Sequence, residues 1–164
     1  MLKSLTSVDF DEIDRKLLDI LQNEANISNV ELARRVNLSP PATHTRIKRL
    51  EREGVIDQYV TLLNREKLGF DLVCFISVKT TSHQKKENEQ IQKAIREMPE
   101  ILECHTITGE YDYMIKAVIK NSKDLKDFIG TKLSSLPGVS GIHTSLSYEE
   151  LKSTTVLPIT DRKY

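Results

Sequence analysis

Residues 28–54 read SNVELARRVNLSPPATHTRIKRLEREG, and this stretch decides how the rest of the chain is organised. Ser28 with Glu31 three residues later is the pattern of a capping box, which predicts the start of a helix. Asn37 tolerates the left-handed conformation that ends helices, and Ser39 is a favoured N-cap for a second one. Gly54 suits the left-handed position just past its end. The stretch therefore predicts two helices joined by a tight turn, a helix-turn-helix.

The two faces of the second helix differ in composition. At 100° per residue, one side gathers the residues that suit a core and the other gathers short and basic side chains. The predicted core face of the helix pair consists of Val30, Ala33, Val36, Thr43, Ile47 and Leu50. The predicted outer face of the second helix consists of Pro41, Ala42, Thr45, Lys48, Arg49 and Arg52, with Arg46 on its flank.

The outer face has the composition of a surface that reads the major groove of DNA. Short residues let the backbone approach base edges, threonine contacts bases or thymine methyl groups, and arginine bonds bidentately to guanine. We expect Thr45 and Arg49 to read bases and Arg46 to meet a base edge or a phosphate. Four basic residues are expected to hold the phosphate backbone: Arg34, Arg35, Lys48 and Arg52. The whole predicted DNA-binding set is Arg34, Arg35, Ser39, Pro41, Ala42, Thr45, Arg46, Lys48, Arg49 and Arg52.

The charge distribution favours DNA over a solvated basic helix. The 164-residue chain is neutral overall, with 24 basic and 24 acidic residues, yet residues 34–52 hold six basic residues and only Glu51 as an acid. The basic charge is therefore concentrated where the motif needs it. A protein-binding role for the same face is the alternative. Added salt separates the two, because binding through several phosphates weakens steeply with salt.

Length and composition are those of a globular protein with one domain or two small ones. The hydrophobic fraction is 38% and the charged fraction is 29%, which is typical of soluble chains. Cys74 and Cys104 lack the spacing of a metal site or a disulfide scaffold, so we expect two buried thiols in a reducing compartment. Without a signal-like N-terminus or a run of about 18 apolar residues, the chain is expected to be cytoplasmic, with no membrane partner.

The rest of the N-terminal half supports the helix pair. Residues 1–8 are expected to form a mobile arm, and a helix to begin at Asp9 or Asp11, with the apolar stripe Ile13, Leu17, Ile20 and Leu21. Residues 55–63 are rich in β-branched and aliphatic side chains and predict a wing or linker strand. The predicted domains are a helix-turn-helix DNA-binding domain over 1–54, a wing strand and hinge over 55–69, and a second domain over 70–164.

From residue 70 onward, strands alternate with helices. Strands are predicted at 72–80, 101–108, 112–119 and 140–149, and helices at 84–98 and from the N-cap Ser122 to Leu133. The order βαββαβ is the ferredoxin-like arrangement, an antiparallel sheet with both helices on one face. The other face is bare, and a second copy of the chain is its natural cover, so we expect a homodimer. Two recognition helices related by a two-fold axis would meet the half-sites of a palindromic operator.

Four segments together resemble one known family: DEIDRKLLDILQ, ISNVELARRVNLSP, RIKRLEREGVI and GEYDYM. Over nearly its whole length the chain is similar to the Lrp/AsnC, or feast/famine, transcription regulators of bacteria and archaea. The resemblance implies an α+β protein with an N-terminal winged helix-turn-helix, of three helices plus a wing strand, and a C-terminal ferredoxin-like βαββαβ domain called RAM. It also implies dimers that assemble further, often into octamers, and small-molecule effectors, usually amino acids, that bind between dimers. No cofactor is expected.

The resemblance places an effector site on the GEYDY segment. Residue by residue, the implied effector-binding set is Thr106, Thr108, Gly109, Glu110, Tyr111, Asp112 and Tyr113, with Ser145, Leu146 and Ser147 as the partner surface. Gly109 would let backbone amides face a carboxylate, and Asp112 would receive an ammonium group, the parts that all α-amino acids share. The last strand tends to be more aliphatic in leucine-responding relatives, so Ser145 and Ser147 argue against leucine. The structural alternative is a turn in which the tyrosines pack and Asp112 acts as a cap.

Other functional classes have weaker support. Cys104 and His105 are adjacent in a predicted strand and point to opposite faces, so they are poorly placed as nucleophile and base. His44, His83 and His143 lack metal-ligand spacing, and the sequence has no Gly-rich phosphate loop. RNA binding would need clustered strand aromatics, which do not occur. We therefore expect a ligand-responsive transcription regulator. The alternatives are an architectural DNA-binding protein without an effector and a ligand sensor that acts on a protein partner.

Overall fold

The computed structural model describes Asp9 and residues 11–81 and 85–159. The chain forms two compact units, one from the residues up to Leu62 together with the segment from Lys152 onward, and one from Leu63 to Leu151. The arm expected at residues 1–8, the predicted helix start at Gln84, and His83 lie outside the described residues.

Three helices make up most of the first unit: α1 (Glu12–Asn23), α2 (Asn29–Arg35) and α3 (Pro40–Arg52). Asn37 turns the chain between α2 and α3 at a φ of 56°, the left-handed conformation predicted for it. Gly54 follows α3 at a φ of 70°, a left-handed conformation that glycine adopts at less cost than residues with a Cβ. The predicted helix-turn-helix is confirmed.

Each of these helices begins at a side chain that caps it. Ser28 and Ser39 each accept a hydrogen bond from the amide three residues later. Asp11 and Asp14 form a reciprocal capping box at the start of α1, with bonds of 2.9 and 3.2 Å. The capping box predicted for Ser28 and Glu31 is only half formed, because the Glu31 carboxylate binds arginine side chains instead.

The interior of the first unit is mainly apolar and joins all three helices. Its most deeply buried residues include Leu17, Leu32, Ala33, Val36, Thr43 and Leu50, with Ile13, Ile20, Leu21 and Ile47 partly buried around them. The stripe predicted for α1 and the core face predicted for α3 are confirmed. Val30 is an exception, because it is 68% exposed. Leu32, Ala33 and Val36 are spaced i, i+1, i+4, so they share the buried face of α2 without it.

The strand predicted over residues 55–63 is wrong, because no strand forms there. Val55 and Ile56 are partly buried and both donate a backbone hydrogen bond to the Leu50 carbonyl, at 2.9 and 3.2 Å. Residues 57–64 are exposed. A strand needs a neighbour with which to exchange backbone hydrogen bonds, and within the described part of the chain this segment has none.

The tail, residues 152–159, returns to α1. Gln22 and Leu157 exchange two hydrogen bonds: Gln22 Nε2 donates to the Leu157 carbonyl, and the Leu157 amide donates to Gln22 Oε1, each at 2.9 Å. The side-chain amide thus satisfies both backbone groups of Leu157, as a neighbouring strand would. The other tail residues are largely exposed, so this double hydrogen bond is a main anchor of the tail on the first unit.

The second unit contains β1 (Leu72–Thr80), α4 (Lys85–Glu97), β2 (Ile101–Thr106), β3 (Tyr113–Ile119), α5 (Ser122–Asp127) and β4 (Val139–Leu146). A 3-10 turn at Glu66–Leu68 precedes β1, and a π-helical turn at Phe128–Leu133 follows α5. The predicted βαββαβ order is confirmed. The N-cap of α5 is Asn121 and not Ser122, because the Asn121 side chain reaches the amides of Lys123 and Asp124 at 2.9 and 3.0 Å.

The four strands form one antiparallel sheet in the order β2-β3-β1-β4. Ile76 of β1, for example, lies opposite Ile115 of β3 and Thr144 of β4. Both helices cover the same face, since residues of α4 and of the π-helical turn share one core with β1 and β3. This is the predicted ferredoxin-like arrangement, and the α+β fold class is confirmed.

The opposite sheet face carries exposed apolar side chains on its central strands. Phe75 of β1 is 45% exposed and Met114 of β3 is 42% exposed. Their neighbours in the register, Lys116 and Ser77, are partly buried. The bare face that the sequence predicted is therefore present.

The two cysteines are free thiols with different surroundings. Cys74 is fully buried, whereas Cys104 is only partly buried, so the prediction of two buried thiols is wrong for Cys104. Cys104 lies on the edge strand β2, which has a neighbour on one side only. Burial raises the pKa of both thiols. Among the described helices, none has the length and apolar composition needed to cross a membrane.

Candidate nucleic-acid interface and effector loop

The outer face of α3 is open to solvent beside the start of α1. Pro41, Ala42 and Thr45 are exposed on its first two turns, and Ser39 caps the helix by accepting from the Ala42 amide. An open groove of about 690 Å³ follows this face, lined by Asp11, Ala42, His44, Thr45, Arg46, Lys48, Arg49 and Arg52. The structure thus brings six of the ten predicted DNA-binding residues together in one groove.

Two arginines of the groove contact a buried carboxylate of α1. Asp14 is 1% exposed, and its Oδ1 accepts from Arg46 Nη1 at 2.9 Å while its Oδ2 accepts from Arg49 Nη2. Arg46 Nη1 also donates to Asp11 Oδ2 at 2.8 Å. The Asp14 amide and then Arg46 lower the pKa of Asp11, and the two carboxylates raise the pKa of Arg46. The predicted outer face therefore includes acidic partners from another helix.

The basic residues of α2 are also paired. The Glu31 carboxylate accepts from Arg34 at 2.7 Å and from Arg35 at 2.9 Å, and these bonds lower its pKa to about 2. Arg35 reaches the Glu24 carboxylate as well, at 2.7 Å. Arg34 and Arg35 do not line the groove, so any contact with phosphate by these residues would lie outside it.

Lys48 and Arg52, both predicted to hold phosphates, have different surroundings. Lys48 Nζ lies 2.7 Å from Glu51 Oε2, which lowers the pKa of Glu51. Exposed pairs of this kind contribute little free energy, so a phosphate can displace the carboxylate. The Arg52 side chain makes no hydrogen bond or ion pair with any described residue. Thr45, predicted to read bases, donates its hydroxyl to the Pro41 carbonyl at 3.0 Å.

Asp14 is a residue that the helical periodicity could have revealed. It stands at i−3 and i−7 relative to Leu17 and Leu21, within the apolar stripe of α1. An acid in an apolar stripe is rarely buried without a partner. Basic residues on a neighbouring helix are the natural candidates for that partner.

The loop between β2 and β3 contains Gly109, whose backbone has a positive φ. Gly109 has a φ of 124°, and no atom lies near the place where a Cβ would be. Asp112 Oδ2 accepts from the Thr80 amide at 2.7 Å and from the Thr80 hydroxyl at 2.9 Å. The carboxylate that was expected to receive an ammonium group thus already joins the loop to the end of β1. This is a structural role, but it differs from the cap of a turn that the structural alternative gave to Asp112.

The other implied effector residues are not gathered in one place within a single chain. Leu146 lies opposite Cys74 of β1, whereas Tyr113 lies opposite Val78. Cys74 and Val78 are four residues apart on β1, which corresponds to about 13 Å along the strand. The segment Ser145–Ser147 and the loop therefore lie toward opposite ends of the sheet.

Within the loop, the side chains divide into exposed and buried groups. Thr106, Thr108 and Glu110 are exposed. Tyr111 is partly buried, with its ring centroid 6.4 Å from that of His143 on β4. Tyr113 is 4% exposed and belongs to the core of the second unit, so its side chain has little surface with which to contact a ligand.

Metal and catalytic sites have no support in the described residues. No cluster of three or more His, Cys, Asp or Glu side chains that could hold a metal ion occurs among them. Cys104 packs against the core of the second unit, whereas the neighbouring His105 side chain is exposed. The two side chains thus point to opposite faces of β2, as predicted.

Two family models match the chain. Residues 10–57 match a winged helix-turn-helix DNA-binding model, and residues 73–157 match the Lrp/AsnC ligand binding domain. The leucine-responsive regulatory proteins of Klebsiella pneumoniae and Escherichia coli K12 are each 38% identical to it over 154 residues, 94% of this chain and 94% of theirs.

Solved structures show the same similarity. A transcriptional regulator of Neisseria meningitidis in complex with L-Met is 36% identical, with a TM-score of 0.89, over 92% of this chain and 97% of that one. An AsnC family transcriptional regulator of Agrobacterium tumefaciens is 29% identical, with a TM-score of 0.87, over the same shares of the two chains. Sequence and fold therefore agree over nearly the whole length.

Proposed function

The chain belongs to the Lrp/AsnC family of DNA-binding transcription regulators, which are not enzymes, and from that premise we propose that it recognises a specific DNA sequence under the control of an amino acid. In this proposal α3 enters the major groove, Thr45 and Arg49 read bases, and Lys48 and Arg52 hold phosphates. The domain limits at residues 54 and 69 and a cytoplasmic location are parts of the same proposal.

The exposed outer face of α3 carries the DNA half of this proposal. Its first turns present Pro41, Ala42 and Thr45, and such short side chains let a helix approach base edges closely. Arg46 and Arg49 line the groove beside them. A guanidinium has five N–H donors, so both arginines keep donors beyond those that bind Asp11 and Asp14.

An amino acid as effector is supported by similarity. The Neisseria regulator, 36% identical, was solved with L-Met, and the relatives at 38% identity are named leucine-responsive regulatory proteins. In this chain the backbone around Gly109 would receive the carboxylate of the effector. Because Ser145–Ser147 lie toward the other end of the sheet, a site that uses both segments needs two chains.

Self-association is supported by the bare sheet face. Phe75 and Met114 expose apolar surface on central strands, which a second copy would cover. A two-fold dimer would present two α3 helices to the half-sites of a palindromic operator, and dimers would assemble further, as far as octamers. Light scattering of the purified protein measures the state directly.

The DNA half is tested by selecting duplexes from a random pool and measuring their binding by fluorescence anisotropy. We expect a selected duplex to bind at least about a thousand times more tightly than a random one, with an affinity that falls steeply with salt. Equal binding of all duplexes would contradict sequence recognition. Absence of binding would favour the alternative of a sensor that acts on a protein.

The effector half is tested by a thermal-shift screen of the twenty amino acids, with methionine and leucine first. A ligand present at about 100 times its Kd stabilises the folded state by about 2.7 kcal/mol, so a true effector raises the melting temperature measurably. Light scattering with each hit then reports whether it changes the assembly.

The engagement of Asp112 with Thr80 favours a second candidate, an architectural DNA-binding protein without an effector. That function predicts no hit in the screen at millimolar concentrations, together with normal DNA binding. An amino acid hit that changes DNA affinity would exclude it.

A further inference from the structure

Asp14 does not line the groove, yet it binds two of the arginines that do. We propose that Asp14 is a positioning residue for DNA recognition, which fixes the directions of the Arg46 and Arg49 guanidinium groups without touching DNA itself. The inference rests on the proposed function and adds to it a specificity-determining residue on α1.

Asp14 is a rigid anchor because all of its bonds are made inside the first unit. Its carboxylate accepts from Arg46, from Arg49 and from the Asp11 amide, and its own amide donates to Asp11 at 2.9 Å. A carboxylate that is 1% exposed loses its hydration, so it strongly favours keeping these donors. The two arginines are therefore expected to keep one edge on Asp14 when DNA binds.

The two arginines keep donors for a ligand. Arg46 uses Nη1 for both aspartates, which leaves its Nε and Nη2 groups, and Arg49 uses Nη2 for Asp14. Arg49 Nε is buried without a hydrogen-bond partner, so the donors that Arg49 keeps for a ligand are on its Nη atoms. The side chains are 30% and 34% exposed and line the groove beside Thr45. Bidentate recognition needs a guanidinium fork held in one direction, and an anchored fork loses less freedom on binding.

Two possible roles of Asp14 predict opposite effects of removing its carboxylate on DNA binding: an effect of its charge alone, and the positioning of the two arginines. If Asp14 were only an acid close to phosphates, then Asp14→Asn would remove a repulsion and tighten binding to every duplex. If Asp14 positions the arginines, the same change frees both forks, and discrimination between sequences falls despite the more favourable net charge. The sign of the change therefore decides between them.

The experiment measures the affinity of the full chain for a selected duplex and for a scrambled one, at several salt concentrations. We expect Asp14→Asn to lower the ratio of the two affinities about tenfold or more. Glu12→Gln is the matched charge control, because Glu12 lies on the same turn of α1, pairs with the exposed Lys16 at 2.7 Å and does not line the groove. Its ratio is expected to equal that of the wild type.

A double-mutant cycle tests whether Asp14 acts through the arginines. In a chain that already carries Arg46→Ala and Arg49→Ala, the further change Asp14→Asn is expected to leave the ratio unchanged. Arg49→Lys keeps the charge but has no fork, so it is expected to lower the ratio even if Asp14→Asn folds poorly.

A stability control separates positioning from general damage. Leu17→Val lowers the packing of the same helix, where Leu17 is fully buried, and is expected to keep the wild-type ratio. The inference is overturned if Asp14→Asn keeps or raises the ratio, or if Leu17→Val lowers it equally. A wild-type chain with no preference between the duplexes would overturn the proposed function itself, which is a different result.

Discussion

Arg52 differs from the other basic residues of the groove because no described carboxylate pairs with it. We expect Arg52→Ala to weaken binding alike for specific and random DNA, and to reduce the slope of log K against log salt by about 0.9. The melting temperature should not change, because the side chain is exposed. Anisotropy titrations at several salt concentrations measure the slope. Lys123→Ala, an exposed site of the second unit, is the control, and a loss confined to the specific duplex would contradict the role.

Glu31 gives the first unit a pH dependence of known sign. Hydrogen bonds from Arg34 and then Arg35 lower its pKa from 4.5 to about 2. A carboxylate with a lowered pKa stabilises the fold above the pKa of the unfolded chain, and this contribution disappears as the pH falls from about 4.5 toward 2. We expect the melting temperature to fall over that window, and to fall less in Glu31→Gln. Parallel curves for the two chains would show that the Arg34 and Arg35 bonds do not hold in solution.

The exposed and buried sides of α3 were predictable from a helical period of 3.6 residues, since Thr43 and Leu50 are buried and Thr45 is exposed. The partners of its arginines were not. Asp14 and Arg49 are 35 residues apart, and periodicity within one helix carries no information about which helix lies beside it.

At the scale of elements, the strands of the second unit were predicted well because each one has a neighbour in the sheet. The strand β1 was predicted with the same limits that it has, Leu72–Thr80. Residues 55–63 have the same β-branched composition but no partner among the described residues, and composition alone does not hold a strand together. The bond between Asp112 and Thr80 could not be predicted either. It depends on which strand ends lie side by side in the sheet, and the local sequence does not give that information.

The loop between β2 and β3 depends on glycine at residue 109. Because its φ of 124° is rarely open to other residues, we expect Gly109→Ala to lower the free energy of unfolding by about 1 to 3 kcal/mol. Urea denaturation measures this change. Gly130→Ala is the matched control, since Gly130 lies in the π-helical turn without a positive φ and with open space for a Cβ. Equal effects in the two variants would contradict the argument from backbone conformation.

At the scale of the whole molecule, the bare sheet face exposes apolar side chains that a second copy of the chain would bury. We expect Phe75→Lys to give monomers that still melt cooperatively, because a charge on this face opposes burial against a second copy. Light scattering coupled to size exclusion measures the mass. Tyr148→Lys is the control, since Tyr148 is fully exposed and lies outside the strands. A wild-type mass for Phe75→Lys would place the contact between copies elsewhere.

The double hydrogen bond between Gln22 and Leu157 also has a consequence for the synthesis of the chain. The two residues are 135 positions apart, so a ribosome that adds about 5 to 20 residues per second needs about 7 to 27 seconds to pass from one to the other. The three helices of the first unit form from local contacts well within that time. During synthesis the first unit therefore folds at first without residues 152–159. This tail can bind α1 only after the whole second unit, Leu63–Leu151, has been translated. Nascent chains halted before residue 152 should accordingly be cut more readily by proteases near Gln22 than released chains.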